Sequence, residues 1–159
     1  MIIRDATPAD AHEACAVLRD SIVQLCIADH RNDPDILRRW LANKTPENVA
    51  SWADGRGRCL LVAIKDDAIV AVGGVREDGE ITLNYVAPRA RFRGVSSAML
   101  ATLEQRAVAQ RATFCTLLST ETAHRFYLAR GYIDEGPPTG KFGAAASYPM
   151  RKPLGPERR

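Results

Sequence analysis

Between Glu80 and Arg111 the spacing of apolar positions changes period, and the change predicts a strand, a short loop and a long helix. Ile81, Leu83 and Tyr85 alternate with Thr82, Asn84 and Val86, a period of two carried by β-favouring residues. Pro88 cannot donate to a ladder and so ends the strand. After Gly94 the pattern turns helical over residues 96 to about 110. Met99, Leu100, Leu103, Ala107 and Val108 share a face there, and Glu104, Gln105 and Arg106 point away from it. On the strand, period two places Glu80, Thr82 and Asn84 on one face.

The same reading extends in both directions. Ile2-Ile3-Arg4 is a short strand. Thr7-Pro8-Ala9-Asp10 has the form of a helix start, with Thr7 as N-cap, Pro8 at the first helical position and Asp10 as the capping-box acid. Ala11, Ala14, Cys15, Leu18, Ile22, Leu25 and Cys26 follow at spacings of three and four. The start signal returns at Asp33-Pro34 and Thr45-Pro46, so residues 7–53 are expected to be helical in two or three pieces. Cys59–Lys65 and Ile69–Val75 form a hairpin around Asp66-Asp67-Ala68, and Glu77-Asp78-Gly79 turns the chain into the strand at Glu80. Tight turns between consecutive strands imply an antiparallel meander. Phe114–Leu118 is a continuous apolar run, expected to be a buried strand parallel to 80–87. Ala123–Arg130 is a helix closed by Gly131. Tyr132–Asp134 and Ser147–Arg151 are further strands, Gly136–Ala146 is a flexible loop, and residues 155–159 are a frayed tail. By pattern alone this is an α/β or α+β chain, a single domain over 1–159.

Composition narrows the classes. At 46% hydrophobic and 26% charged, 159 residues suffice for one core, with no case for disorder. The net charge of +3 is explained by arginines at 89–93 and at the C-terminus, so a phosphate-binding loop is favoured over a nucleic-acid surface. No apolar run approaches the roughly 20 residues of a membrane span, and MIIRDATPAD has no apolar export region. A cytoplasmic location is therefore expected. Cys15, Cys26, Cys59 and Cys115 show no CxxC spacing, and His12, His30 and His124 are scattered. Reduced thiols and no metal are expected.

The junction of strand and helix carries the candidate chemistry. Arg91-Phe92-Arg93-Gly94-Val95-Ser96-Ser97 opens the helix, where several amide N–H groups lack an intrahelical partner. With the helix dipole they form an anion site. Gly94 lets a ligand approach the backbone, and Arg91 and Arg93 add charge-assisted donors. A diphosphate suits such a site. This segment resembles the coenzyme-A motif of the GNAT superfamily of CoA-dependent N-acetyltransferases, Gln/Arg-x-x-Gly-x-Gly/Ala, preceded by a hydrophobic-x-Pro step that Val86-Ala87-Pro88 supplies. Ser96 stands at the last motif position instead of Gly or Ala. Phe126-Tyr127-Leu128-Ala129-Arg130-Gly131-Tyr132 is similar to the family's Phe-Tyr-x-x-x-Gly-Phe/Tyr, with Ala123 at the small position before it and Thr120 where Asn is common.

The resemblance implies a GNAT-like mixed, mostly antiparallel sheet of about six or seven strands flanked by helices. Two parallel central strands, 80–87 and 113–119, would splay apart around the pantetheine arm. It implies acetyl-CoA as cosubstrate, held by Tyr85, Val86, Arg91, Phe92, Arg93, Gly94, Val95, Ser96, Ser97 and Thr120. Tyr127 would be the acid beside the CoA sulfur and Glu80, at the start of its strand, the candidate general base. Asn84 is a weaker candidate for facing the acceptor, and Trp40, Trp52 and the 136–146 loop flank its pocket. The implied reaction is direct acyl transfer to a small-molecule or peptide amine. An acyl-cysteine is disfavoured because Cys115 lies in an apolar strand. A non-catalytic acyl-CoA-binding module on the same fold is the alternative, and a homodimer is left open.

Overall fold

The structure, a computed structural model that describes residues 1–140 and 147–155, builds its first sheet from Ile2–Asp5 (β1), Arg58–Lys65 (β2), Ala68–Arg76 (β3) and Ile81–Val86 (β4). These strands are antiparallel neighbours in that order. Phe114–Thr120 (β5), Ile133–Asp134 (β6) and Ser147–Pro153 (β7) form a second antiparallel sheet with β7 in the middle. The helices are Ala11–Leu25 (α1), Ile27–His30 (α2), Pro34–Leu41 (α3), Pro46–Ala53 (α4), Val95–Ala109 (α5) and His124–Leu128 (α6). Lys141–Ala146 of the expected loop, and Pro156–Arg159 of the expected tail, lie outside the described residues.

The two sheets touch at one end. Thr116 N–H donates to the Gly79 carbonyl at 3.1 Å, and Glu80 and Thr116 form a parallel bridge, the one bridge between the sheets among the described residues. Gly79 is required there: its φ is +94°, and a Cβ would run into the carbonyl oxygen of Phe114. Beyond this joint β4 and β5 belong to separate ladders, and two cavities with shared lining residues flank the space between them.

Local chemistry sets the helices around that frame. The Asp33 carboxylate accepts from Asp35 and Ile36 N–H to start α3, and Thr45 Oγ1 accepts from Asn48 N–H to start α4. A 3-10 turn, Pro8–Asp10, leads into α1, with Thr7 N–H donating to Asp10 at 2.8 Å. Arg4 also pairs with Asp10 and, with this turn, holds its carboxyl down at about 2. Four helical segments precede β2 instead of two or three. The extra one is α2, too short to show a periodic stripe, and it ends where Arg31 and Asn32 adopt left-handed φ. Both α1 and α5 pack on β3 and β4, and Leu18, Ile22, Met99 and Leu103 are fully buried. Gly73 lets α5 close on the sheet, since a Cβ would come within 2.6 Å of Met99 Sδ.

Several expectations about burial need correction. β5 is not buried on both faces: Cys115, Leu117 and Ser119 are buried, whereas Phe114 and Leu118 are 36% and 52% exposed. The second face is left partly open, and Phe114 is capped by the Arg151 guanidinium instead of by a helix. Val108, in the last turn of α5, is exposed, whereas Ala107 beside it is buried. Glu104 does not turn to solvent but accepts from the Tyr132 hydroxyl at 2.8 Å and from Lys152 at 3.1 Å.

The correction that bears on function concerns β4. Gly74 pairs with Leu83 and Val75 with Ile81, so Thr82 is an extra residue in the ladder. One extra residue inverts the alternation beyond it. Asn84 therefore leaves the face of Glu80 and Thr82, and Tyr85 joins Glu80 instead.

Candidate active site

Two cavities flank the gap between β4 and β5, and Tyr85 and Thr120 line both. The first, about 320 Å³, is walled by the start of α5, the end of α1 and α6. Its floor is the 91–97 loop. Gly94 is the N-cap of α5 with φ +78° and makes no side-chain cap, and the first intrahelical bond of the helix is donated by Ala98. The amides of Val95, Ser96 and Ser97 thus precede the hydrogen-bonded turns, at the positive end of a 15-residue helix. A Cβ at Gly94 would stand in open space, so glycine is present here for its φ. Phe92 is also left-handed, at +64°, and 89% exposed, with the Arg91 guanidinium 4.5 Å from its ring centroid. Arg91, Phe92, Gly94, Val95, Ser96 and Ser97 line this cavity, as do Val86 and Asn84; Arg93 does not.

Tyr127, buried in α6, reaches the same cavity from the other side. Its ring is held between the edges of Phe126 and Tyr132, with centroids 5.2 and 5.5 Å away. Burial pushes its hydroxyl up to about 12, against a smaller lowering from the Asn84 hydrogen bond. Asn84 Nδ2 donates to Tyr127 Oη at 3.3 Å. The phenol oxygen is thereby an acceptor toward Asn84, and its own proton is left for another partner. Asn84 Oδ1 is buried with no hydrogen-bond partner among the described residues. The bulge at Thr82 thus makes Asn84 a neighbour of the candidate acid, and not the acceptor-facing residue that simple alternation predicts.

Arg130 joins the site without a signal in the sequence. It donates to Ser97 Oγ through Nε and Nη2, at 3.0 and 2.7 Å, and stacks on Phe126 at 3.8 Å. It ties α6 to the first turn of α5 and adds a cation to the cavity wall. Its place between Ala129 and Gly131 resembles any solvated helix end, so only the fold reveals it. Thr120 Oγ1 accepts from Ala123 N–H at 3.1 Å, within the turn that leads into α6. Cys26 also lines this cavity, its thiol pushed up to about 12 by burial, which keeps it a poor nucleophile.

The second cavity, about 380 Å³, lies on the other side of the gap. Trp40, Trp52, Thr82 and Leu118 line it with Asp29, Lys44, Arg58, Arg76 and Glu80. Asp29 is buried and accepts from Glu121 N–H (2.7 Å), Thr122 N–H (3.2 Å) and the Thr122 hydroxyl (2.5 Å). It fastens α2 to the segment between β5 and α6. Glu80 sits beside the sheet joint, 3.9 Å from Arg76 Nε, with both side chains about half exposed. Five residues of strand separate it from Tyr85, roughly 16 Å at about 3.3 Å per residue.

Residues 36–154 match the family model for the acetyltransferase (GNAT) domain. Among solved structures, a GCN5-related N-acetyltransferase from Rhodopseudomonas palustris superposes with a TM-score of 0.84 at 24% identity, covering 96% of this chain and 94% of that one. The PaiA N-acetyltransferase of Thermoplasma acidophilum, in complex with coenzyme A, gives 0.82 at 15% identity over 96% and 98%. YncA of Salmonella typhimurium, a putative acetyltransferase solved with acetyl-CoA, gives 0.72 at 19% over 100% and 96%. At these identities the likeness establishes the fold. No protein of curated function matches the chain in sequence.

Proposed function

The chain belongs to the GNAT family of acetyltransferases, and from that premise we propose that it moves an acetyl group from acetyl-CoA to a primary amine, with both substrates bound together. The observation that carries this reading is the pair of neighbouring cavities that share Tyr85 and Thr120 as lining residues, with Tyr127 lining the first of them. The cavity's donors suit coenzyme A. The amides of Val95–Ser97, with Arg91, offer charge-assisted bonds to a diphosphate. The orphaned Asn84 Oδ1 offers an acceptor to an amide N–H, a group that a pantetheine arm carries. PaiA and YncA, of like fold, were solved with coenzyme A and acetyl-CoA respectively.

The bound thioester supplies an activated acyl group whose leaving atom departs as a thiolate. Tyr127 is protonated at neutral pH, as an ordinary phenol near 10 already is, and burial raises its hydroxyl further, to about 12. Asn84 occupies its oxygen, which leaves the phenol proton free to donate into the cavity. A phenol near 12 gives its proton to a thiolate of ordinary basicity, about 8.5, only at a cost of about 5 kcal/mol. Tyr127 therefore stabilises the departing sulfur as a hydrogen-bond donor first. Glu80 is set back from the junction and engaged with Arg76, and Asp29 is occupied by three donors. Neither carboxylate is positioned to take the amine proton directly, so the amine enters neutral or loses its proton to solvent.

Thermal unfolding with acetyl-CoA, free CoA and NAD tests the cofactor assignment. A native-state ligand at a hundredfold excess over its Kd adds about 2.7 kcal/mol of stability. A rise in Tm with both CoA compounds but not NAD is expected; no rise at millimolar concentration overturns the reading. Tyr127→Phe should then lower kcat about 100-fold, in the range of positioned acid–base groups, with cofactor Kd within about threefold of wild type. Unchanged turnover would remove Tyr127 from the mechanism.

A further inference from the structure

The second cavity is richer in cations than in anions. Among the described residues its charged lining is Lys44, Arg58 and Arg76 against Asp29 and Glu80. Four of these five are already engaged. Asp29 is held by the 121–122 segment, and Glu80 and Arg76 face each other. Lys44, itself buried, donates to Asn43 Oδ1 at 2.9 Å and to the Trp40 carbonyl at 3.4 Å. Arg58 differs from the rest. Its guanidinium lies 5.9 Å from the Trp52 ring centroid, a long cation–π contact, and makes no hydrogen bond or ion pair among the described residues. It is half-buried and directly opposite Arg76 in the β2–β3 ladder. A planar guanidinium beside an aromatic ring, lining a cavity with its donors unspent, is a receptor for a carboxylate.

Register gives the distance. Tyr85, at the junction, pairs with Val72, and Arg76 lies four residues further along β3, roughly 13 Å at about 3.3 Å per residue. The anion would thus be held well away from the reacting nitrogen. The nitrogen end has no unengaged base at hand, since Glu80 is set back beside Arg76 and Asp29 is occupied by three donors. Near pH 7.5 a peptide α-amine, with a pKa of about 7.8, is about one-third neutral, whereas a lysine-type amine near 10.4 is about one-thousandth neutral. A site without a base favours the former.

We infer that the acceptor is an elongated molecule with a low-pKa α-amine at one end and a carboxylate at the other, as in a short peptide, with Arg58 as the carboxylate receptor. This rests on the transferase reading and names the class of its second substrate. It is distinct from the polycationic aminoglycosides named for acetyltransferases of like fold, whose charge this cavity repels.

The test is a thiol-release assay with product masses, using purified protein, acetyl-CoA and matched acceptors: trialanine, trialanine amide, spermidine and kanamycin. Trialanine is expected to exceed its amide at least tenfold in kcat/KM, with acetylation at the α-amine. Arg58→Gln should raise KM for trialanine about tenfold and leave the amide unchanged, abolishing the preference. Equal rates for peptide and amide, preference for spermidine or kanamycin, or no turnover of trialanine by protein that binds acetyl-CoA would each overturn the inference and leave the cofactor assignment standing. Failure to bind acetyl-CoA at all would remove both. The wild-type comparison decides the matter even if the variant folds poorly.

Discussion

On the side of the β4–β5 gap proposed for the cofactor, a single stretch of chain, Arg91 to Ser97, provides the floor, and much of its polar character is main chain: the free amides at the start of α5. On the side proposed for the acceptor the charged groups are side chains from separate segments, Asp29, Lys44, Arg58, Arg76 and Glu80. The difference is one of tolerance as well as origin. A main-chain site depends on a backbone path and survives most side-chain changes that keep that path. A side-chain site can be rewritten one residue at a time. A family that keeps one cosubstrate and varies the other is well served by this division, because altering Arg58 or Lys44 leaves the 91–97 path untouched.

The sharpest way to break the division is to cut the connection between its halves. Asp29 belongs to the acceptor cavity, yet its three hydrogen bonds hold the segment that leads from Thr120 into α6 and Tyr127. Asp29→Ala strands two backbone donors, at about 1–3 kcal/mol each. A loss of about 3 kcal/mol in urea unfolding is expected, with both cofactor affinity and turnover impaired. A loss confined to acceptor KM would show that the halves are independent even here.

Next in size is a local attack on the main-chain side. Gly94→Asp places a carboxylate at the uncapped start of α5, where the anion is expected to sit. Aspartate and asparagine tolerate left-handed φ better than other side chains, so the fold should survive with a cost of about 1 kcal/mol. Cofactor Kd should rise about 100-fold for Gly94→Asp and less than about fivefold for Gly94→Asn, measured by calorimetry. Equal losses would mean that strain, not charge, governs the loop.

The pH profile separates the chemistry from both binding sites. Tyr127 has its hydroxyl raised to about 12 by burial, above the roughly 10 of an exposed tyrosine. Its folded-state pKa is raised, so the fold loses stability as pH climbs from about 10, where the unfolded phenol ionises, to about 12, where the folded one does. Turnover at saturating substrates should accordingly show no alkaline decline from this group below about pH 11. A limb near pH 10, absent in Tyr127→Phe, would show that the hydroxyl is more solvated than its packing against Phe126 and Tyr132 allows.

The same division explains what is legible in the sequence. The 91–97 loop is contiguous and sits at a change of hydrophobic period, so position and composition both announce it. Gly94, Arg91 and Tyr127 stand out in the sequence because each falls within a short continuous motif. Arg130 and Asp29 act across the fold, on Ser97 and on the 121–122 backbone, and no local pattern marks them. Period two puts Asn84 on the wrong face because it assumes a regular ladder, and the extra residue at Thr82 is set by pairing with β3. The apolar run at β5 is a poor guide for a related reason. Its exposure depends on whether a helix covers the second face, which is decided by topology and not by the strand.

Glu80 carries the smallest expected effect and gives the most direct test of whether the acceptor side does any chemistry. As the leading carboxylate of its strand it is the natural candidate for the base, and its position by the sheet joint argues otherwise. Its pairing with Arg76 spans 3.9 Å between two half-exposed side chains, and such surface pairs contribute about 0–1 kcal/mol. Glu80→Gln should therefore change stability by less than about 0.5 kcal/mol and turnover by less than about threefold. It should leave the acidic limb of the kcat/KM profile where it is. Loss of Arg76's counter-charge should, if anything, favour a carboxylate-bearing acceptor and lower its KM slightly. If turnover instead fell about 100-fold and the acidic limb disappeared, Glu80 would be the base after all. A proton relay would then have to bridge the strand distance to Tyr85, and the acceptor cavity would be a site of catalysis as well as recognition.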